Sequence, residues 1–136
     1  MDGYRKRAQY HETDQMGVIH HASYILWMEE ARTAFLNDIG VSYKAMEASG
    51  ILSPVVELSV KYIRSVEFDD EVEVRITIPK YNGIILEVGY EIYDLTKDTL
   101  AATAFSRHCF LSEGRPVSLR KYLPEADARL TAQVEK

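Results

Sequence analysis

The sequence predicts an α+β fold in which one long helix in the N-terminal half packs against an antiparallel sheet of about five strands. Three observations predict it. Apolar residues recur at helical spacing from Ala22 to Ile39, the apolar period changes to two after Pro54, and the turn pair Asn82-Gly83 lies between two alternating runs and so joins them as a hairpin.

Taken in order, Tyr4 to Tyr10 reads as a short first strand, followed by a polar, irregular stretch from His11 to His21 with Gly17 as its flexible point. In the long helix, Tyr24, Ile25, Met28, Ala31, Phe35, Leu36 and Ile39 form the apolar stripe. Glu29, Glu30, Thr33 and Asn37 form the solvated side, and Gly40 is the stop. Arg32 falls inside the stripe, where a charged side chain must snorkel or find a partner. Ser42 to Gly50 reads as a further short helix, with Ser42 as N-cap and Gly50 just past its end. Val56, Leu58, Val60 and Tyr62 share one face of a strand, with Glu57, Ser59 and Lys61 on the other. Val72, Val74, Ile76 and Ile78 mark a second strand ending at Pro79, and Leu86, Val88, Tyr90 and Ile92 its return. Leu100 to Leu111 is the last strand, reached through the polar turn Asp94 to Asp98. The tail from Leu119 carries a short helix with Pro124 near its start. One helix leaves the outer face and edges of such a sheet weakly protected, which points to a homo-oligomer, a dimer at least.

A length of 136 residues fits a single domain spanning 1–136, and 46% hydrophobic with 27% charged residues supplies a core and excludes a disordered or fibrous chain. The net charge of −5 argues against broad nucleic-acid or anionic-membrane binding, so a phosphate-bearing partner must be met by a local group. Cys109 is the only cysteine, which excludes an intrachain disulfide and a thiolate zinc site and fits a reducing compartment. It lies in a strand-like run, where a small buried residue is a better reading than a nucleophile. No apolar run reaches membrane-spanning length, and a cytoplasmic protein without membrane insertion is expected.

The densest polar cluster, His11-Glu12-Thr13-Asp14-Gln15-Met16-Gly17-Val18-Ile19-His20-His21, immediately precedes the long helix. A helix N-terminus presents free N–H groups and partial positive charge, suited to a carbonyl oxygen that becomes an oxyanion. Asp14 and His21 are seven residues apart with Gly17 between them, so the loop can fold both over the helix start. Carboxylate, imidazole and helix start together fit acyl transfer. Against this, Asp is equally a turn or capping residue, and paired histidines are often simple loop residues. A metal site from His11, Glu12, Asp14, His20 and His21 lacks any recognised ligand spacing, and none is expected. Lys61 and Arg64, at a strand end, are candidates for phosphate contacts or plain solvated cations.

The run Tyr10 to Tyr24, continued by Trp27-Met28-Glu29-Glu30-Ala31-Arg32, resembles the opening motif of the 4-hydroxybenzoyl-CoA thioesterase family, and within it the Tol-Pal-associated acyl-CoA thioesterase subgroup. Tyr62-Ile63-Arg64, Phe68-Asp69-Asp70 and Gly114-Arg115-Pro116 extend the resemblance. It implies a hotdog fold, a long helix wrapped by a curved antiparallel sheet, and hydrolysis of an acyl-CoA thioester. Asp14 matches the catalytic aspartate, as nucleophile or general base, and His21 the residue whose backbone N–H polarises the carbonyl. Tyr24 matches a site-lining tyrosine, and Gly17, Tyr24, Arg64 and Lys61 are the candidate substrate-binding residues. No cofactor is implied, coenzyme A being part of the substrate, and the expected assembly is a dimer or tetramer with sites at the dimer interface. The departures are Gln15-Met16 before Gly17, and His20 where an aromatic is common. The alternatives are a hotdog hydratase or dehydratase and a non-catalytic acyl-CoA or acyl-carrier-protein binding module.

Overall fold

The computed structural model describes residues 3–135. Strand β1 is Tyr4–Arg7, followed by a 3-10 turn at Tyr10–Glu12. Helix α1 is His21–Asp38 and α2 is Tyr43–Ala48. Strands β2 to β5 are Val55–Tyr62, Glu71–Tyr81, Ile85–Asp94 and Thr99–Cys109. The two-residue strands β6, Leu111–Ser112, and β7, Arg115–Pro116, precede α3, Leu119–Tyr122, and α4, Pro124–Gln133. Five strands form an antiparallel sheet in the order β1-β3-β4-β5-β2, and β6 and β7 pair separately. The chain groups into two compact units, the first made of Met1–Arg32, Val60–Ile76 and Tyr90–Ala104 and the second of Thr33–Ser59, Thr77–Gly89 and Phe105–Lys136.

In the first unit β1 runs antiparallel to β3, with Tyr4 opposite Val74 and Arg7 opposite Glu71. The strand stops earlier than the apolar pattern predicts because Ala8 bonds the end of another turn instead: its N–H donates to Asp70 O at 2.8 Å and its O accepts from Asp69 N–H at 3.0 Å. The core collects Tyr24, Trp27, Met28 and Ala31 of α1 with Val66, Val72, Val74 and Ile92. The buried stripe of α1 is thus displaced from the expected one: Trp27 is fully buried and Ile25 is half-exposed. Indole burial removes roughly 200 Å² from water, several kcal/mol at about 25 cal/mol per Å², provided the N–H finds a partner. It does, in the Glu12 carboxylate at 2.7 Å. Arg32 takes the paired option, donating to the Tyr90 hydroxyl at 3.0 Å.

In the second unit Ser42 caps α2 through its hydroxyl, which accepts from Ala45 N–H at 3.2 Å, and Gly50 adopts the left-handed conformation that ends it, φ 83°. Asn82 closes the β3–β4 hairpin by accepting from the N–H groups of Ile84 and Ile85. Strand β3 does not end at Pro79, which is exposed and tolerated where the ladder needs no donor. The tail forms two helices rather than one, α4 beginning at Pro124. Cys109 is half-exposed, contrary to the expected burial, because alternation along β5 turns Ser106 and His108 inward. Strand β2 also departs from its pattern. It lies at the sheet edge, and Val55, Val56 and Leu58 keep 46%, 54% and 38% of their surface exposed.

Candidate active site

The loop from Thr13 to Ile19 folds back on itself: Thr13 bridges Ile19, and Asp14 N–H donates to Val18 O at 2.8 Å. Asp14 Oδ1 accepts from Met16 N–H at 2.8 Å, and Gly17 takes φ 81°, which a side chain would resist. The turn role anticipated for Asp14 is therefore real, but it engages only one carboxylate oxygen. Oδ2 has no hydrogen-bond partner among the described residues.

The loop delivers the chain to α1. His20 Nδ1 accepts from Ala22 N–H at 3.1 Å and His20 O from Ser23 N–H at 2.9 Å, so the residue before the helix caps two of its free donors. The N–H of His21 has no acceptor among the described residues. Tyr62 donates its hydroxyl to His21 O at 2.7 Å, fixing the first turn of the helix to the end of β2. Tyr24 is buried, its hydroxyl accepting from Val66 N–H at 3.3 Å, and its ring meets Tyr62 edge to face at 5.0 Å. Burial raises the hydroxyl pKa of both tyrosines, so neither is a ready base near neutral pH.

Asp14, His21, Tyr24 and Arg64 line one cavity of about 300 Å³ in the first unit, with Met16, Val18 and Ile63 giving it apolar surface. Arg64 forms no ion pair among the described residues. Lys61, grouped with Arg64 from the sequence, is not part of the wall, since strand alternation sends it to the face opposite Tyr62. Gly17 shapes the turn without lining the cavity. Sequence reasoning did not name Tyr62 and Ser65 as lining residues, although Tyr62 lay on the apolar side of a strand end and inside the Tyr62-Ile63-Arg64 motif of the family resemblance. Among the described residues no three His, Cys, Asp or Glu side chains gather as metal ligands would. A larger cavity of about 490 Å³ in the second unit has only Tyr122 and Glu125 as ionisable lining groups.

The Tyr62 bond gives a direct check on this geometry. Tyr62→Phe removes one hydrogen bond to a helix-start carbonyl and is expected to cost about 1 kcal/mol in urea unfolding. An unchanged midpoint would mean that water replaces the hydroxyl without loss.

A family model described as the thioesterase-like superfamily matches residues 8–130. The chain belongs to the thioesterase-like superfamily. A Bacillus subtilis protein named "Putative acyl-CoA thioesterase YneP" is 37% identical over 118 residues, 86% of each chain. The acyl-CoA thioester hydrolase YbgC of Escherichia coli is 34% identical over 80 residues, 59% of this chain and 60% of its own. The solved structure of a DHNA-CoA thioesterase from Staphylococcus aureus superposes with a TM-score of 0.89 at 34% identity, covering 96% of this chain and 91% of that one. As a member of the thioesterase-like superfamily the chain has the hotdog fold in its α+β form. No helix among the described residues is long and apolar enough to cross a membrane.

Proposed function

We propose that this chain hydrolyses acyl-CoA thioesters to the free acid and coenzyme A at the Asp14 cavity. One observation carries the reading: a carboxylate oxygen without a partner and a helix-start N–H without an acceptor belong to residues lining the same cavity. A thioester carbonyl has weak resonance stabilisation, so it needs less polarisation than an amide. Its oxygen sits at the His21 N–H, where the positive end of an 18-residue helix stabilises the charge of the tetrahedral intermediate. Losing such a donor typically costs ~10²–10³ in rate. Asp14 Oδ2 supplies the other half. Either it attacks the carbonyl carbon, expelling coenzyme A thiolate and leaving a mixed anhydride that water cleaves, or it takes a proton from the water that attacks. Arg64 meets a phosphate of coenzyme A, and Tyr24 keeps the helix start and the Val66 turn in register. No cofactor takes part in this reading.

The names of the relatives support the substrate class, and the Tol-Pal-associated subgroup within it rests on the motif resemblance that includes Asp14 and His21. The test is free-thiol release from short, medium, long-chain and aromatic acyl-CoA substrates. Release from one class, lost in the Asp14→Asn variant, supports the hydrolase. Binding without release from any substrate supports the acyl-CoA binding module instead.

The proposal includes a homo-oligomer paired through β2. An exposed apolar edge strand offers unpaired backbone donors and acceptors to a second copy. Leu58→Lys places a charge in that edge and is expected to shift the mass in light scattering from dimer or tetramer toward monomer. A wild-type protein that is already monomeric at micromolar concentration would sink this part of the reading.

A further inference from the structure

Asp94, the last residue of β4, is completely buried, its Oδ1 accepting from Lys97 N–H at 3.1 Å. Its Oδ2 is buried without a donor, and the neighbouring side chain with which its carboxyl can share a hydrogen bond is Asp70, itself 7% exposed. Two carboxylate oxygens cannot bond each other without a hydrogen, so one proton belongs to the pair. Asp70 Oδ2 also accepts from Glu67 N–H at 3.0 Å and lies 3.5 Å from Lys97 Nζ. The turn that Asp70 closes in this way is the one on which the Asp14 loop rests. Val66 O accepts from Ile19 N–H at 2.8 Å, Val18 bridges Glu67, and Lys97 Nζ reaches Glu67 at 2.6 Å and Ser65 O at 3.4 Å. Asp69, inside the turn, holds φ 72°, a left-handed turn conformation that Asp adopts more readily than most non-glycine residues.

We propose that Asp70 and Asp94 form a positioning pair whose shared proton clamps the Ser65 to Asp70 turn against the Asp14 loop, and that losing this proton loosens the loop. The inference deepens the hydrolase reading and rests on it only for the effect on turnover. The groups facing the pair are Lys97 from the β4–β5 turn, Glu67 from the clamped turn and the Tyr24 hydroxyl from α1. Burial raises the Asp70 carboxyl, but the proton from Asp94, the Glu67 N–H and Lys97 outweigh it and hold Asp70 below its usual range. Burial first, then the Asp70 carboxylate, push Asp94 up to about 6. The contribution of Asp94 is therefore complete below its ordinary value of 3.8 and lost as pH rises through about 6. That of Asp70 is present above 3.8 and lost as pH falls through its lowered folded value. The clamp is tightest between these limits.

The experiment is amide exchange at Ile19, corrected for the intrinsic pH dependence, between pH 5 and 8. In wild type the opening equilibrium should rise by about tenfold over this range as Asp94 ionises. Asp94→Asn keeps an oxygen for Lys97 N–H and offers Asp70 a permanent N–H donor, so its Ile19 protection should stay flat. Its kcat for thiol release should also lack the fall that wild type shows over the same range. Wild-type exchange at Ile19 that follows only the intrinsic rate overturns the inference without any variant, and so does a folded Asp94→Asn protein that tracks wild type. If no acyl-CoA is turned over while the exchange behaves as described, the pair stands and the hydrolase reading falls.

Discussion

Asp14→Asn is expected to lower acyl-CoA turnover by ~10³-fold while leaving KM and stability nearly unchanged. The reason lies in how the two carboxylate oxygens are used. Oδ1 accepts from Met16 N–H at 2.8 Å, and an asparagine carbonyl oxygen makes the same bond, so the loop keeps its shape. Oδ2 becomes an amide nitrogen, which neither attacks a carbonyl carbon nor takes a proton from water. Asp14→Ala differs because it removes the turn bond as well, costing about 1 kcal/mol of stability. Thiol release and urea unfolding on both variants separate chemistry from scaffolding. An Asn variant with wild-type kcat would reduce Asp14 to a turn residue and leave binding as the surviving reading.

The parts of this protein that were legible in its sequence are those whose physics is local. Helix α2 followed from Ser42 and Gly50, and the β3–β4 hairpin from Asn82-Gly83, because a cap or a turn is decided within a few residues. The juxtaposition of Asp14 and His21 was legible for the same reason, since a short loop with Gly17 at its bend separates them. Strand β2 was legible as a strand but not as an exposed one, because alternation reports which residues share a face, not whether anything covers it. Tyr62 bonds a residue 41 positions away, and Asp70 meets Asp94 only through the sheet, so neither contact has a sequence signature. Trp27, between Tyr24 and Ala31 at helical spacing, could have been placed on the buried side from the sequence, whereas its partner Glu12, outside the helix, could not.

That acid, Glu12, is expected to show the larger stability effect: Glu12→Gln should cost about 3 kcal/mol at neutral pH despite being nearly isosteric. Glu12 is 8% exposed, and both of its oxygens are in use. Oε1 accepts from Gln9 N–H at 2.8 Å, while Oε2 accepts from Trp27 Nε1–H at 2.7 Å and from Lys6 Nζ at 3.4 Å. A glutamine side chain has one carbonyl oxygen and one NH₂, so it satisfies one side and turns a donor toward the other, leaving a buried N–H unpaired. Lys6 also loses a charge partner and, among the described residues, keeps Glu30 at 2.9 Å. Burial works against the ionised form of Glu12, but the bonds from Gln9, Trp27 and Lys6 outweigh it and hold its pKa below 4.5. Its contribution is therefore complete above 4.5 and lost as pH falls through the lowered folded value, so the gap between wild type and variant should be wider at pH 7 than at pH 3. Urea unfolding at the two pH values measures it, and a gap independent of pH would mean that packing, not charge, makes the difference. The same substitution reaches the chemistry indirectly. Glu12 O accepts from His20 N–H at 2.7 Å, so the residue anchors both ends of the loop that carries Asp14, and kcat should fall before KM does.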